Sequence, residues 1–287
     1  MVIQGRKLTV EDIGLILRLL AEHPDWHRTR LSQELCRLWD WRNARGLVKD
    51  MAARTLLLKL ERAGRIRLPE SRGGSNNEFR NRQLPLELYS TEPIVGALGD
   101  LRPLAVSVVR PGSEDLRLFN GLLGSHHYLG HRNTVGENMR YLVRDRSGRP
   151  VACALFGSAA WKCAARDAWI GWDRCVREAN LGFLTNNTRF LILPWVTVPH
   201  LASHILALLA RRVCADWQDK YGHPIHALET FVDRGRFKGT CYRAANWILL
   251  GSTKGRTRND RDHSIVAPVK DAYLYPLVKD FRRKLGA

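Results

Sequence analysis

The 287-residue chain carries 46 Lys and Arg against 28 Asp and Glu, a formal net charge of +18 with 45% apolar residues. That apolar share suits a folded globular protein and excludes a disordered one, while the cationic excess points to polyanionic partners held with a steep salt dependence. No apolar run approaches the roughly 18 residues that span a bilayer, so no membrane partner is expected.

Taken in chain order, residues 8–68 read as three helices and a wing. Thr9 followed by Asp12 has the form of a helix N-cap with an acid in the first turn, ahead of IGLILRLLAEHP, and Pro24 ends that helix. Thr29 is expected to cap the second helix, RLSQELCRLW, and Gly46 marks the connection to the third. In VKDMAARTLLLKLERAG, Ala53, Leu56, Leu57 and Leu60 recur at i, i+3, i+4, i+7 and predict one buried stripe. Thr55, Lys59 and Arg62 then face away from it, the layout that a recognition helix needs in a DNA groove. Gly64 suits the position after the helix, and RIRLP is expected to begin the wing as a short strand. ESRGGSNNEFRNRQLPLE, rich in Gly, Ser, Asn and Arg, reads as a basic wing tip or linker, with Arg72, Arg80 and Arg82 as phosphate contacts. The expected organisation is a winged helix-turn-helix over 1–70, a basic wing or linker over 71–95, and an α+β domain over 96–287.

In the larger part, MRYLVRDRSGRPVACALF predicts a hairpin closed by a Ser-Gly turn. RFLILPWVTV predicts a central strand, and a helix is expected from Pro199 to about Lys220, with Leu201, Ile205, Leu208, Leu209 and Val213 at helical spacing. HALETFVD follows as a strand, GTCYRAANW as a short helix, and WILLGST and DAYLYPLV as further strands. The class is therefore mixed α/β of the α+β type. The six cysteines are scattered without a CxxC pair, and the N-terminus MVIQGRKLTVED has no apolar signal core; both fit a cytoplasmic protein.

The order of hairpin, central strand, long helix, strand and short Tyr-bearing helix resembles the fold of the GCN5-related acyltransferases. Where that superfamily often reads Tyr-x-x-x-Gly-Phe, this chain has Tyr242-Arg-Ala-Ala-Asn246-Trp247. The Gly-rich turn that would hold an acyl-CoA pyrophosphate at the N-terminus of the long helix is replaced by Pro199-His200-Leu201-Ala202-Ser203, so acyl-CoA is not the expected cofactor. The blocks HHYLG, RDAWIGW, NNTRFLILPWV, ETFVD, GTCYRAANW and LGSTKGRTR resemble the Druantia anti-phage protein A family. HRTRLSQELCRLWDWRN and the helix after it are similar to winged-helix segments that precede transposase domains. The resemblance implies bacterial defence or mobile-element biology acting on DNA, with other defence-system or transposon proteins as partners, and supplies no reaction.

Candidate chemistry centres on Glu229, Asp233, Tyr242 and His127. Glu229 and Asp233 stand at i and i+4 of a strand, on one side, where with Asp167 or Asp173 they could bind a divalent metal for phosphodiester cleavage. The alternative is ion pairing with Arg166, Arg234 or Arg236. His126 and His127 sit in a loop-like GSHHYLGH, projecting in different directions. His200 and His204 share a helical face without the HExxH glutamate. Tyr242 could protonate a leaving thiolate or attack a phosphodiester, against the alternative of packing a short helix. Residues 234–261 hold eight basic residues against the single acid Asp260, and Lys254, Arg256 and Arg258 are expected to contact phosphate. The expectation is a DNA-binding protein with basic surfaces on both domains; a metal- or tyrosine-dependent nuclease, or a divergent acyltransferase, is the alternative.

Overall fold

The computed structural model describes residues 2–3, 6–42, 46–70, 89–131, 134–253, 255 and 268–286. The chain forms two compact units, Met1–Arg82 and Gln83–Ala287.

In the first unit the antiparallel strands β1 (Val2–Ile3) and β2 (Arg6–Lys7) precede helices α1 (Val10–Glu22), α2 (Arg28–Leu38) and α3 (Asp50–Arg62). Thr9 opens α1 with a reciprocal capping box: Thr9 Oγ1 accepts from the Asp12 amide at 3.2 Å and Asp12 Oδ2 from the Thr9 amide at 2.9 Å. The second cap differs from expectation. His27 Nδ1 accepts from the Arg30 amide at 3.1 Å, so α2 starts ahead of Thr29, which lies within its first turn. The predicted stripe of α3 (Ala53, Leu56, Leu57, Leu60) is buried, and Ala52 joins it. It packs in one core with Ile16 and Leu19 of α1 and Leu31, Leu35 and Cys36 of α2. Gly64, at φ +66°, ends α3 and donates its N–H to the Glu61 carbonyl. Arg65–Pro69 forms no strand ladder among the described residues, although Ile66 and Leu68 are buried in the helical core. Arg72, Arg80 and Arg82 lie outside the described residues.

The second unit contains β3 (Ile94–Val95), α4 (Leu98–Leu101), β4 (Ala105–Val108), α5 (Glu114–His126), β5 (Asn138–Arg144) and β6 (Pro150–Ser158). It continues with α6 (Ala164–Ile170), α7 (Arg174–Asn180), β7 (Leu184–Ile192), β8 (Val196–Thr197) and α8 (Leu201–Tyr221). Then come β9 (Ala227–Asp233), α9 (Thr240–Ala244), β10 (Ile248–Ser252), β11 (Lys270–Pro276) and α10 (Phe281–Lys284). Seven strands form one mixed sheet in the order β4-β5-β6-β7-β9-β11-β10, antiparallel throughout except for the β7–β9 pair; β3 and β8 form a separate parallel pair. The long α8 crosses over between β7 and β9, as a parallel pair requires.

Strand alternation divides the interior. Leu228, Val232 and Tyr273 share the larger core with Ile205, Leu209, Val213 and Trp217 of α8. Their neighbours Ala227 and Leu274 pack in a smaller core with Ile170, Trp172, Phe281 and Leu285.

Three sequence expectations shift. The central strand lies earlier, at Leu184–Ile192, and the chain turns at Pro194–Trp195 before the short β8. The long helix begins at Leu201 because His200 adopts φ +65°, outside the right-handed helical region. His200 therefore stands at the N-cap position of α8, without a side-chain capping bond, instead of sharing a face within the helix. GSHHYLGH is not a free loop either, since Gly124, Ser125 and His126 form the last turn of α5.

The feature that positions the site is a splay. β7 and β9 pair only where Leu184, Thr185 and Asn186 meet Ala227, Leu228 and Glu229. Beyond that, β7 stays with β6 to Ile192 and β9 stays with β11 to Asp233. A bulge on β7 bends it at the same point: Leu155 faces Arg189 and Phe156 faces Asn187, which leaves Thr188 as the extra residue.

Candidate functional site

The splay opens a cavity of about 700 Å³ lined by residues 186–192 of β7, 230–233 of β9, 126–129 at the end of α5, and 237–242. Pro194, Ala202 in the first turn of α8, and Lys270 complete its wall.

Its floor is a buried polar network inside an apolar surround. The Tyr242 hydroxyl donates to Asn187 Oδ1 at 2.8 Å, and Asn187 Nδ2 donates to the carbonyls of Leu155 and Arg189 at 3.2 and 3.1 Å. Thr230 Oγ1 donates to the Asn187 carbonyl at 3.0 Å. Burial pushes the Tyr242 phenol far above its ordinary range, so it stays protonated and acts as a donor to Asn187. Phe190, Trp247 and Tyr273 surround its ring at centroid distances of 6.3, 5.1 and 5.9 Å. Asn187 is a member of this floor that sequence patterns alone did not single out. The signal for it was the polar run TNNTR leading into an otherwise apolar strand.

Glu229 and Asp233 occupy different environments. Four residues along an extended strand is roughly 13 Å, too far for both carboxylates to ligate one ion. Glu229 sits at the last paired position before the splay, with 2% of its surface exposed beside an Arg166 that is 1% exposed. Arg166 Nη1 donates to Glu229 Oε2 at 2.8 Å, and Oε1 accepts from the Ala160 amide. Burial pushes the Glu229 carboxyl up, against the pull of the guanidinium. Arg166 also pairs with Asp167 at 2.7 Å, and Asp167 with Arg177 at 3.4 Å, while Asp173 caps α7 through the Val176 amide. Asp233 does reach the cavity; it accepts from the Gly235 amide at 3.0 Å and faces Arg236 at 3.8 Å. Arg234 pairs with Asp271 at 3.4 Å. Among the described residues no group of three or more His, Cys, Asp and Glu converges as a metal site.

The lip of the cavity is aromatic and cationic. Tyr128 and Phe237, 37% and 50% exposed, stand with ring centroids 5.3 Å apart, and the Arg236 guanidinium lies 5.2 Å over the Tyr128 ring. Arg189, Lys238 and Lys270 line the wall against the single acid Asp233. His127 also lines it, its Nδ1 accepting from the Leu129 amide at 3.2 Å. Burial first, and the nearby Arg189 second, lower its pKa to about 4, so it is neutral at physiological pH. Gly239 closes the lip at φ +66°, so close to Tyr273 that a Cβ would collide with the phenol. The structure thus brings His127, Asp233 and Tyr242 to one cavity and keeps Glu229 within the ion-paired core beneath it.

In the first unit, Thr55 and Arg62 are exposed and Lys59 is half-buried on the outer side of α3. Thr55 Oγ1 donates back to the Met51 carbonyl at 3.0 Å. Neighbouring cations are neutralised in pairs: Arg54 with Asp50 at 2.6 Å, Arg28 with Glu61 at 3.5 Å, and Arg37 with Glu34 at 2.9 Å. Lys59, Arg62, Arg65 and Arg67 have no carboxylate partner among the described residues. Lys254, Arg256 and Arg258 lie outside the described residues. No described helix is long and apolar enough to cross a membrane.

The family model for "Druantia protein DruA" matches residues 59–267, which include every cavity residue named above except Lys270. The protein belongs to the Druantia protein DruA family. Membership associates it with anti-phage defence. No curated protein matches the chain at a significant level. Among solved structures it is similar to spermidine N-acetyltransferase from Vibrio cholerae. The form in complex with CoA and spermine is 10% identical, with 60% of this chain and 92% of that chain covered and a TM-score of 0.38. The dodecameric intermediate state is 10% identical, with 63% and 97% covered and a TM-score of 0.40. A manganese complex is 12% identical, with 63% and 96% covered and a TM-score of 0.37. Likeness at this level assigns no residue roles in the family.

Proposed function

We propose that this protein is a DNA-binding component of an anti-phage defence system, gripping the phosphate backbone through cationic surfaces on both units. The observation that carries the reading is the contrast on the first unit. Among the described residues Arg28, Arg37 and Arg54 are neutralised by carboxylates, whereas Lys59, Arg62, Arg65 and Arg67 are not, and they cluster on α3 and the segment just after it. A helix whose apolar back is locked to two supporting helices, with cations on its outer side, has the physical requirements of a groove-reading helix in a winged-helix domain. The net charge of +18 supports the same partner. The order of elements in the second unit fits an acyltransferase-like scaffold adapted to a role other than acyl transfer. Its tyrosine is bonded to Asn187, and the turn before α8 has Pro199 and His200 in place of glycines.

The test is binding of labelled duplex DNA across a salt series. Removing one phosphate-binding cation should lower the log–log salt slope by about 1. Lys59→Ala with Arg62→Ala should therefore flatten the slope by about 2 and weaken all sequences alike. Affinity that hardly changes between low and moderate salt would refute the reading.

A further inference from the structure

We infer that the cavity between the splayed strands β7 and β9 is a binding site for one nucleotide unit, its base held at the aromatic lip and its phosphate by the cationic wall. This deepens the DNA-binding reading and rests on it for the strand that would supply the nucleotide.

Four independent features converge. First, the cavity lies where two strands part, so the β7 and β9 edges face each other across a space without a ladder over 187–192 and 230–233. Such edges offer main-chain donors and acceptors to the polar rim of a base.

Second, the lip exposes two aromatic rings packed edge-to-face, Tyr128 and Phe237, with the Arg236 guanidinium over the first. Exposed rings paired with a guanidinium form the platform on which bases stack irrespective of sequence. Third, Arg189, Lys238 and Lys270 outnumber Asp233 on the wall, which selects an anion. Neutral His127 adds a hydrogen-bonding group without adding charge. Fourth, the volume of about 700 Å³ falls in the range of small-ligand sites, on the order of 300–1,000 Å³, so it admits one nucleotide and not a duplex. A nucleotide must leave the stack, or be a strand end, to enter it.

Single-stranded oligonucleotides carrying 2-aminopurine at successive positions test this on the full chain, alongside duplex DNA and free nucleoside monophosphates. Quenching of 2-aminopurine at one position is expected on binding. Tyr128→Ala with Phe237→Ala should abolish the quenching and weaken single-strand binding roughly 5- to 150-fold, the equivalent of about 1–3 kcal/mol per stacked base. Both residues are surface-exposed, so the variant should fold, which an unchanged thermal melt would verify. Duplex affinity should stay as in the parent, whereas Lys59→Ala with Arg62→Ala should do the reverse.

Quenching at no position, together with unaltered single-strand affinity in the lip variant, overturns the nucleotide site while leaving duplex binding intact. Loss of all DNA binding, with monophosphates still bound and still sensitive to the lip variant, keeps the site and refutes the DNA reading. Preferential binding of an acyl-CoA, with monophosphates and oligonucleotides ignored, overturns the inference in favour of acyl-group chemistry.

Discussion

Replacing Arg166 with Met should unfold the second unit more readily than any surface change. Arg166 and Glu229 are 1% and 2% exposed, and the guanidinium also donates to the Ala160 carbonyl at 2.8 Å and pairs with Asp167. Removing it leaves a carboxylate buried without its counter-charge, which typically costs about 3–5 kcal/mol. For a unit of this size, 1 kcal/mol lowers Tm by about 2–4 °C, so the expected fall is roughly 6–20 °C. Glu229→Gln keeps an acceptor for the Ala160 amide and leaves Arg166 its bond to Asp167, so it should cost less, about 1.5–3 kcal/mol. The double variant should be less destabilised than the sum, by about 0.5–3 kcal/mol, because each single change strands the other group. Scanning calorimetry gives the three values, and near-ultraviolet circular dichroism follows Trp172, whose ring lies 5.7 Å from the Arg166 guanidinium. If Arg166→Met melts within about 1 °C of the parent, the pair is not a structural element and Glu229 is free for other chemistry. A divalent-metal role for Glu229 makes the opposite forecast. Glu229→Gln would then leave the metal-free melt unchanged and abolish any shift caused by metal.

Tyr242→Phe should remove the hydrogen bond to Asn187 and leave Oδ1 without its donor, at about 1–3 kcal/mol, read as a lower Tm and, on this packing role, no change in any DNA cleavage. Gly239→Ala combines a left-handed backbone, about 1–2 kcal/mol for a residue with a Cβ, with a collision against Tyr273, so it should destabilise the second unit and weaken nucleotide binding more than Lys238→Ala does. His127 and His131 both have pKa values lowered from 6.5 to about 4, chiefly by burial, so the unfolded chain binds more protons than the folded one between those values. Stability from these groups is complete above about pH 6.5 and is lost as pH falls toward 4. Melting curves of a His127→Gln, His131→Gln variant should be flatter across that window, and an unchanged pH profile would rule the two histidines out as its source.

The architecture of the second unit was legible because its elements carry strong periodic signals. The hairpin at 138–158, the amphipathic run into α8 and the strand ALETFVD stand where the sequence places them. The site was legible only in part. A period-2 strand puts Glu229 and Asp233 on one side, yet it says nothing of a neighbouring strand that pairs with one and parts from the other. Arg166 is 63 residues from Glu229 in the chain, and no local pattern announces that pairing. The Thr188 bulge likewise arises from pairing with β6, and the strand boundary drawn at Arg189 left Asn186 and Asn187 outside. His126 looked like a loop residue because Gly124 and Ser125 precede it, but α5 tolerates both in its last turn, and the Tyr89 hydroxyl bonds to His126 Nε2 at 2.7 Å.

The stretch from Glu229 onward gains its meaning from the point where the strands separate. Glu229 is the last residue of β9 in register with β7, and Thr230 is the first to face the opening. One peptide bond therefore divides an ion-paired core from a cavity wall, and the same strand serves both. This arrangement is physically economical: the buried pair at Arg166 and Glu229 pins β9 where the ladder stops, so the parted edges beyond it can stay apart without the sheet closing. Substitutions at 229 should then report on stability, and those at 128 and 237 on ligand. A variant that weakened nucleotide binding from position 229 at full thermal stability would show that the division does not hold.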